Sequence, residues 1–345
     1  MSRDVLHSLA DDARKGTIIV GNSANGDRAR FDCHAVDDIA AGVTLLNTLG
    51  YGELLVKAGT YTPAGVIDIP ADHVTITFEE GVIIERPDTA PLFTVGAGRT
   101  NVRFIGPAIL DGAAKDGSHA LIDIDGATYI HINGLLFVDN TNESGVYIVG
   151  DNENFTADVL IKDCFFSACK RGVWAYNNGT GETTLRRVRV DHCTFENTTS
   201  EGFLCNGIGY SSVHSCYFYG CGVTDSMPAI HIDDYATEEV TSVFVLVRGC
   251  WVDTTGASGI LVEDSNACTV GDCVVISAAS HGVEVKNADN NIVRNIHATN
   301  NTTDGVNIDA NSDRTIVEGS QLLGNGGTPL VDNGSNTVSG LNVVA

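Results

Sequence analysis

The sequence predicts an all-β chain wound as a single parallel β-solenoid of about 10–12 coils, with one helix near its N-terminus. Three observations carry this. One phrase recurs five times, as Ile161-x-x-Cys164-x-Phe166, Val190-x-x-Cys193-x-Phe195, Val213-x-x-Cys216-x-Phe218, Val247-x-x-Cys250-x-Val252 and Val270-x-x-Cys273-x-Val275, and its cysteines advance by 29, 23, 34 and 23 residues. A second phrase, glycine then apolar, any residue, apolar, fills the gaps at Gly145, Gly172, Gly202, Gly259, Gly282 and Gly305, with Ala229 in the remaining slot. Apolar residues alternate within both phrases, as in strands, and no helical spacing lies between them. Parallel strands without crossover helices then stack equivalent residues of successive coils about 4.8 Å apart.

Taken in order, residues 1–30 are polar and read as an N-terminal arm, a possible attachment segment, with Gly21 to Gly26 as its link. Residues 36–49 read as the one helix. Asp37 or Asp38 caps it, Ile39, Val43 and Leu46 form its apolar stripe, and Gly50 stops it. Such a helix hides the open first rung of a solenoid. Alternating strands follow at Leu54–Tyr61 and Val74–Ile84. From there to residue 345 the coils continue, so residues 31–345 form one β-helix domain. The longest turns fall between residues 149 and 242, and turns of this kind on a regular scaffold are where binding and catalysis concentrate.

The N-terminal part of this domain resembles a known group. The helix, then Lys57-Ala58-Gly59-Thr60-Tyr61, then Gly65-Val66-Ile67-Asp68-Ile69-Pro70-Ala71 and Val74-Thr75-Ile76, then Gly106-Pro107-Ala108-Ile109-Leu110-Asp111-Gly112 are similar to the opening of the pectate-lyase-like right-handed parallel β-helix proteins. The resemblance implies a right-handed winding. Its members include polysaccharide lyases, polygalacturonases, sugar epimerases and viral tail-spike proteins, so it implies a polysaccharide partner more than any one reaction. Residue by residue the match to polygalacturonases is partial. Thr303-Asp304-Gly305, Asp233-Asp234 and Ser280-His281-Gly282 each resemble one motif, in the wrong order of coils.

Composition narrows the classes. A formal net charge of −24, from 20 basic and 44 acidic residues, argues against nucleic-acid binding. Only 6 of the 20 basic residues are lysine, and an acidic, lysine-poor chain resembles proteins of halophilic (haloarchaeal) systems. Five of the 10 cysteines occupy one inward slot that Leu135, Ile296 and Leu341 fill elsewhere, so they read as small apolar core residues rather than disulfide partners. No apolar run is long enough for a membrane span. Met1-Ser2-Arg3-Asp4 opens without an apolar signal segment. The expectation is a virion component made in the host cytoplasm, with an extracellular protein as the alternative.

Candidate site residues lie on the outward side of the strands after each Gly-apolar phrase. One end of that face is aromatic, with Tyr147, Trp174 and Tyr176 expected to stack on sugar rings. The other end is charged. Asp233 and Glu263 hold equivalent slots of adjacent coils, near the carboxyl separation of about 5–5.5 Å in retaining glycosidases, with Asp234 and His231 beside them. These four are the candidate catalytic residues, and a solvated acidic surface is the competing reading. Lys286, one coil beyond, is expected to pair with Glu263. A second outward row, Phe165, Tyr217 and Trp251 with Tyr219 one step further out, reads as an interface or ligand platform. No metal ligand set is specified and no cofactor is expected, although calcium suits acidic turns. The leading functional expectation is a virion spike or tail-fibre protein that binds a host-surface polysaccharide or glycoprotein, contacts other virion proteins through its arm, and assembles as a homotrimer. A glycoside hydrolase or polysaccharide lyase is the alternative, and a passive adhesive solenoid the third.

Overall fold

A computed structural model describes residues 17–22, 31–33 and 38–344, apart from 70, 114, 116, 152, 180–183 and 235–240. From Gly52 onward the strands alternate among three parallel sheets of 14, 12 and 11 strands, so the chain completes about 11 turns. The first sheet takes the strands of the Val-x-x-Cys phrase, such as Leu185–Asp191 and Leu246–Arg248. The second takes the Cys-x-Phe segments, such as Phe165–Ser167 and Thr194–Glu196. The third takes the Gly-apolar phrases, such as Ser144–Gly150, Arg171–Asn177, Ile230–Asp233 and Ile260–Glu263. Register holds from coil to coil, with Ile161 on Val190, Val190 on Val213, and Phe166 on Phe195.

The slots expected to point inward do so. Cys164, Cys193, Cys216, Cys250 and Cys273 are buried at successive corners between the first and second sheets, with Leu135 and Ile296 in line. Among the described residues the cysteines are free thiols. Leu341 is a correction to this ladder. It is 97% exposed, and the slot beside the final strand belongs to Asn342, whose Oδ1 accepts the Ser320 N–H at 3.0 Å. Each corner before the ladder turns on a residue of positive φ, including Asp163, His192, Asp272 and Asn295. Short polar residues tolerate that conformation best.

The two recurring phrases explain each other. Phe137, Phe166, Phe195 and Phe218 stack face to face at 4.6, 4.8 and 4.6 Å between centroids. A Cβ on Gly145 would lie 2.7 Å from Phe166 Cδ1, on Gly172 2.3 Å from Phe195 Cδ1, and on Gly202 2.6 Å from Phe218 Cδ1. The glycine of one coil is therefore required by the phenylalanine of the next. Ala229 takes this slot where the next coil has Val252, whereas Gly259 is held as tightly by Val275 as its counterparts are by phenylalanine, since a Cβ there would lie 2.2 Å from Val275 Cγ1.

The helix, α1 (Asp38–Leu49), covers the first rung. Ile39, Val43 and Leu46 are buried, and Gly42 lets it approach closely, since a Cβ there would meet Leu54 Cδ1 at 2.6 Å. Its expected start over residues 36–37 lies outside the described residues. Part of the segment read as an arm is instead a strand. Thr17–Asn22 pairs in parallel with Gly52–Val56 on one side and with Phe31–Cys33, the edge strand of the first sheet, on the other. Residues 1–16 and 23–30 lie outside the described residues.

Candidate functional site

The outward residues of the third sheet form two columns. The first runs Asp123, Tyr147, Trp174, Leu204, His231, Leu261, Glu284, and the second Asp125, Val149, Tyr176, Asn206, Asp233, Glu263, Lys286. The aromatic end is continuous. Tyr147 lies 4.8 Å from Trp174, and Trp174 lies 5.6 Å from Tyr176. Trp174 Nε1 donates to Asn206 Oδ1 at 2.9 Å, and Asn206 Nδ2 donates to Asp233 Oδ2 at 3.2 Å. This chain ties the aromatic shelf to the charged end.

His231 is the centre of the charged end. It points out of the solenoid yet is only 8% exposed. Its Nδ1 lies 3.7 Å from Glu201, and its Nε2 lies 3.4 Å from Glu263 and 3.9 Å from Asp233. These are ion-pair distances, too long for good hydrogen bonds, and neither ring nitrogen has a hydrogen-bond partner. Burial works against a charged ring, but the Glu201 and Glu263 carboxylates outweigh it and raise His231 to about 9. Glu201 is 1% exposed. Burial pushes its carboxyl up, while His231, the Ser200 hydroxyl and Arg171 together bring it down to about 2. Arg171 Nε donates to Glu201 at 3.0 Å, and the same guanidinium lies 4.5 Å over the Trp174 ring. Glu263 is lowered to about 2 by His231 and by Lys286, which bonds its other oxygen.

Asp233 behaves oppositely. Burial, with Glu263 nearby, raises it to about 6 despite the pull of His231. Two carboxyl groups on adjacent rungs are thus pushed apart, one held ionised and one held ready to carry a proton. One oxygen of each and a ring nitrogen of His231 lie within 4.8 Å of one another. Asp234 sits at the start of the following turn, also raised by burial, and with Asp233 and Asp264 brings three oxygens within 4.8 Å. That is the all-oxygen donor type calcium takes. At the far end, burial and Asp125 raise Asp123 to about 6, and burial with Asp123 raises Tyr147.

The structure brings all four candidate catalytic residues and the three aromatic ones onto one face. The Glu263–Lys286 pair is as expected. Glu201 and Arg171 were not found from the sequence. They precede Gly202 and Gly172, on the column beside the two that alternate outward from each phrase, and only the fixed glycine positions mark that column. The partial motifs around His281 and Thr303 meet each other: His281 Nδ1 lies 2.9 Å from Asp304 Oδ2 and 3.0 Å from the Thr303 hydroxyl. The second aromatic row stands apart on the second sheet, with Tyr217, Tyr219 and Trp251 exposed and Phe165 half-buried.

Residues 229–344 match a family model described as the right handed beta helix region. The fold is a right-handed parallel β-helix. The match covers the short, regular coils that follow the phenylalanine ladder. Solved structures extend the likeness over nearly the whole chain. The A-module of mannuronan C-5 epimerase AlgE6 from Azotobacter vinelandii aligns with a TM-score of 0.59 at 13% identity, over 88% of this chain and 95% of that one. ORF18 of Geobacillus virus E2 aligns with a TM-score of 0.61 at 14% identity, over 97% of this β-helix chain but 62% of the viral one. A Family 28 exopolygalacturonase of Yersinia enterocolitica gives 0.55 at 11% identity, over 93% and 78%. At these identities the likeness is one of fold. The curated proteins give no match by sequence.

Proposed function

We propose that the protein binds an extended, uncharged polysaccharide along its third sheet and hydrolyses it there. The observation that carries this is the junction of the aromatic shelf with the His231 centre on a single strand face, tied through Asn206. Sugar rings stack on Tyr147, Trp174 and Tyr176, and the chain then runs over Asp233 and Glu263. Asp233, held protonated well above the usual carboxylate range, gives its proton to the glycosidic oxygen as that bond breaks. Glu263, held ionised by His231 and Lys286, forms the bond to the anomeric carbon. Asp233, now a carboxylate, takes a proton from the water that releases the glycosyl group and restores Glu263. The outward columns carry Asp123, Asp125, Asp233, Glu263 and Glu284 against Lys286, which disfavours a polyuronate and supports a neutral glycan.

The source of the glycan in this reading is a host cell surface, and the protein is carried on a virion, alone or as a homotrimer. The fold shared with a viral protein supports that placement. Antibody labelling of purified virions, against culture fluid alone, tests it. For the activity, purified protein is placed on an array of neutral and acidic glycans and products are read by mass spectrometry. Binding with fragments that vanish in Asp233→Asn and Glu263→Gln, while binding persists, is the expected result. Binding without fragments from the unaltered protein refutes hydrolysis and leaves a receptor-binding spike.

A further inference from the structure

The first sheet carries the opposite charge to the third. Between the rungs of Arg103 and Arg294, its two outward columns hold Arg103, Lys162, Arg189, Arg248 and Arg294 against the single carboxylate Asp191. The third sheet over the same coils holds five carboxylates against one lysine. A chain of net charge −24 thus carries five of its 20 Lys and Arg residues on one flat face about 34 Å long, seven rungs of about 4.8 Å. Lys162 lies 3.6 Å from Asp163, Arg189 is bound to Asp191 at 2.8 Å and Arg248 to Asp272 at 2.7 Å. Arg103 and Arg294 are exposed, and no ion pair joins either to a described carboxylate. The positive field registers on His131, lowered by burial and then by Arg103 and Lys162.

An aromatic edge borders this face. Tyr129, Tyr210 and Phe244 are 58%, 58% and 53% exposed. Each sits at a positive φ, 56°, 53° and 55°, where a bulky residue is strained by about 1–2 kcal/mol relative to glycine or asparagine. Tyr210 and Phe244 stack 5.1 Å apart as one flat platform. Beside them, Asp158, Leu160, Arg187, Arg189 and Tyr210 line an open cavity of about 360 Å³. Asp158, Arg187 and Ala267 hold the same corner at positive φ in neighbouring coils, so the backbone there does not require an aromatic, and the exposed rings add nothing to the core.

We propose that this face is a second glycan site that holds an acidic polysaccharide along the rod, its carboxylate or sulfate groups on the arginine and lysine columns and its rings on Tyr210 and Phe244. Charge complementarity selects a polyanion, and the stacking edge selects sugars over other polyanions. The acidic third sheet of a second copy is the competing occupant, and it would bury the Trp174 shelf.

The test is binding of oligogalacturonate and heparin, with dextran and duplex DNA as controls, to the full chain and two variants. In Arg103→Glu/Arg294→Glu, affinity for both acidic glycans falls at least tenfold and its salt dependence flattens. In Tyr210→Asn/Phe244→Asn, affinity falls while the melting temperature is kept or rises, because asparagine relieves the positive-φ strain. Trp174→Ala leaves acidic binding unchanged. The proposal is overturned by absence of acidic-glycan binding, by affinity unchanged in both variants, by duplex DNA binding as tightly as heparin, or by sedimentation showing self-association that Arg103→Glu/Arg294→Glu abolishes. Neutral-glycan hydrolysis on the third sheet stands or falls independently of these outcomes.

Discussion

Replacing Glu201 by glutamine isolates the charge that organises the site. The side chain keeps its shape and an oxygen for Arg171 and Ser200, but loses the charge facing His231 Nδ1 at 3.7 Å. In the unaltered protein His231 rises from 6.5 to about 9 on folding. A group raised on folding contributes stability that is fully present below its unfolded value and is lost as pH rises through its folded one. The shift corresponds to roughly 3 kcal/mol, present at pH 6 and gone by about pH 10. Burial opposes the charge, so without Glu201 only Glu263 and Asp233 support it. The fall in unfolding free energy between pH 6 and pH 10 then shrinks by at least about 1 kcal/mol relative to the unaltered protein. Urea denaturation of both proteins across that range reads the difference, and other titrating groups cancel in the comparison. Nuclear magnetic resonance titration of the His231 ring gives its value directly. Parallel stability profiles for the two proteins, or a His231 that titrates at or below 6.5, would refute the network.

The remaining expectations concern the shelf and the core. Trp174→Ala lowers affinity for the neutral glycan about tenfold, roughly 1.4 kcal/mol, by isothermal calorimetry, with circular dichroism unchanged. Gly172→Ala places a methyl 2.3 Å from Phe195 Cδ1 and destabilises by about 1–3 kcal/mol in denaturant titration. Phe195→Ala added to it recovers only part of that loss, because the Gly202 carbonyl still lies 2.6 Å from the added methyl, and a strictly additive double variant counts against the coupling. The thiols of Cys164, Cys193, Cys216, Cys250 and Cys273 are buried, so a thiol reagent labels them only on unfolding. Rapid labelling of any of them in the native protein contradicts the ladder.

The solenoid was legible because its physics repeats. Cys164, Cys193 and Cys216 mark one corner on successive coils, and each Gly-apolar phrase marks the strand after it. The helix over 38–49 was legible from its stripe and its glycine stop. The slip at Leu341 arose because polar Asn342 holds the corner slot there, while the apolar Leu341 one residue earlier is exposed and misleads the register. The strand Thr17–Asn22 was missed because it pairs with Gly52–Val56 across a break in the repeat. At the site, Asp233, Glu263 and Lys286 were found because register sets neighbours at one rung. Glu201 and Arg171 were not, since the alternation rule ends at the glycine that follows each of them. The burial of His231 could not be read either. An outward slot predicts exposure, and only the folded surroundings exclude water from the ring. The opposed charges of the first and third sheets likewise emerge only once three sheets are wound together.

The most direct test of the account follows the configuration of the first product by proton nuclear magnetic resonance, on whichever neutral glycan the array identifies. Carboxyl oxygens within 4.8 Å, one group held ready to give a proton and the other ionised, predict net retention at the anomeric carbon and no unsaturated sugar. An inverted product would contradict the assignment of Glu263 as nucleophile. A product with a new double bond would replace hydrolysis by elimination.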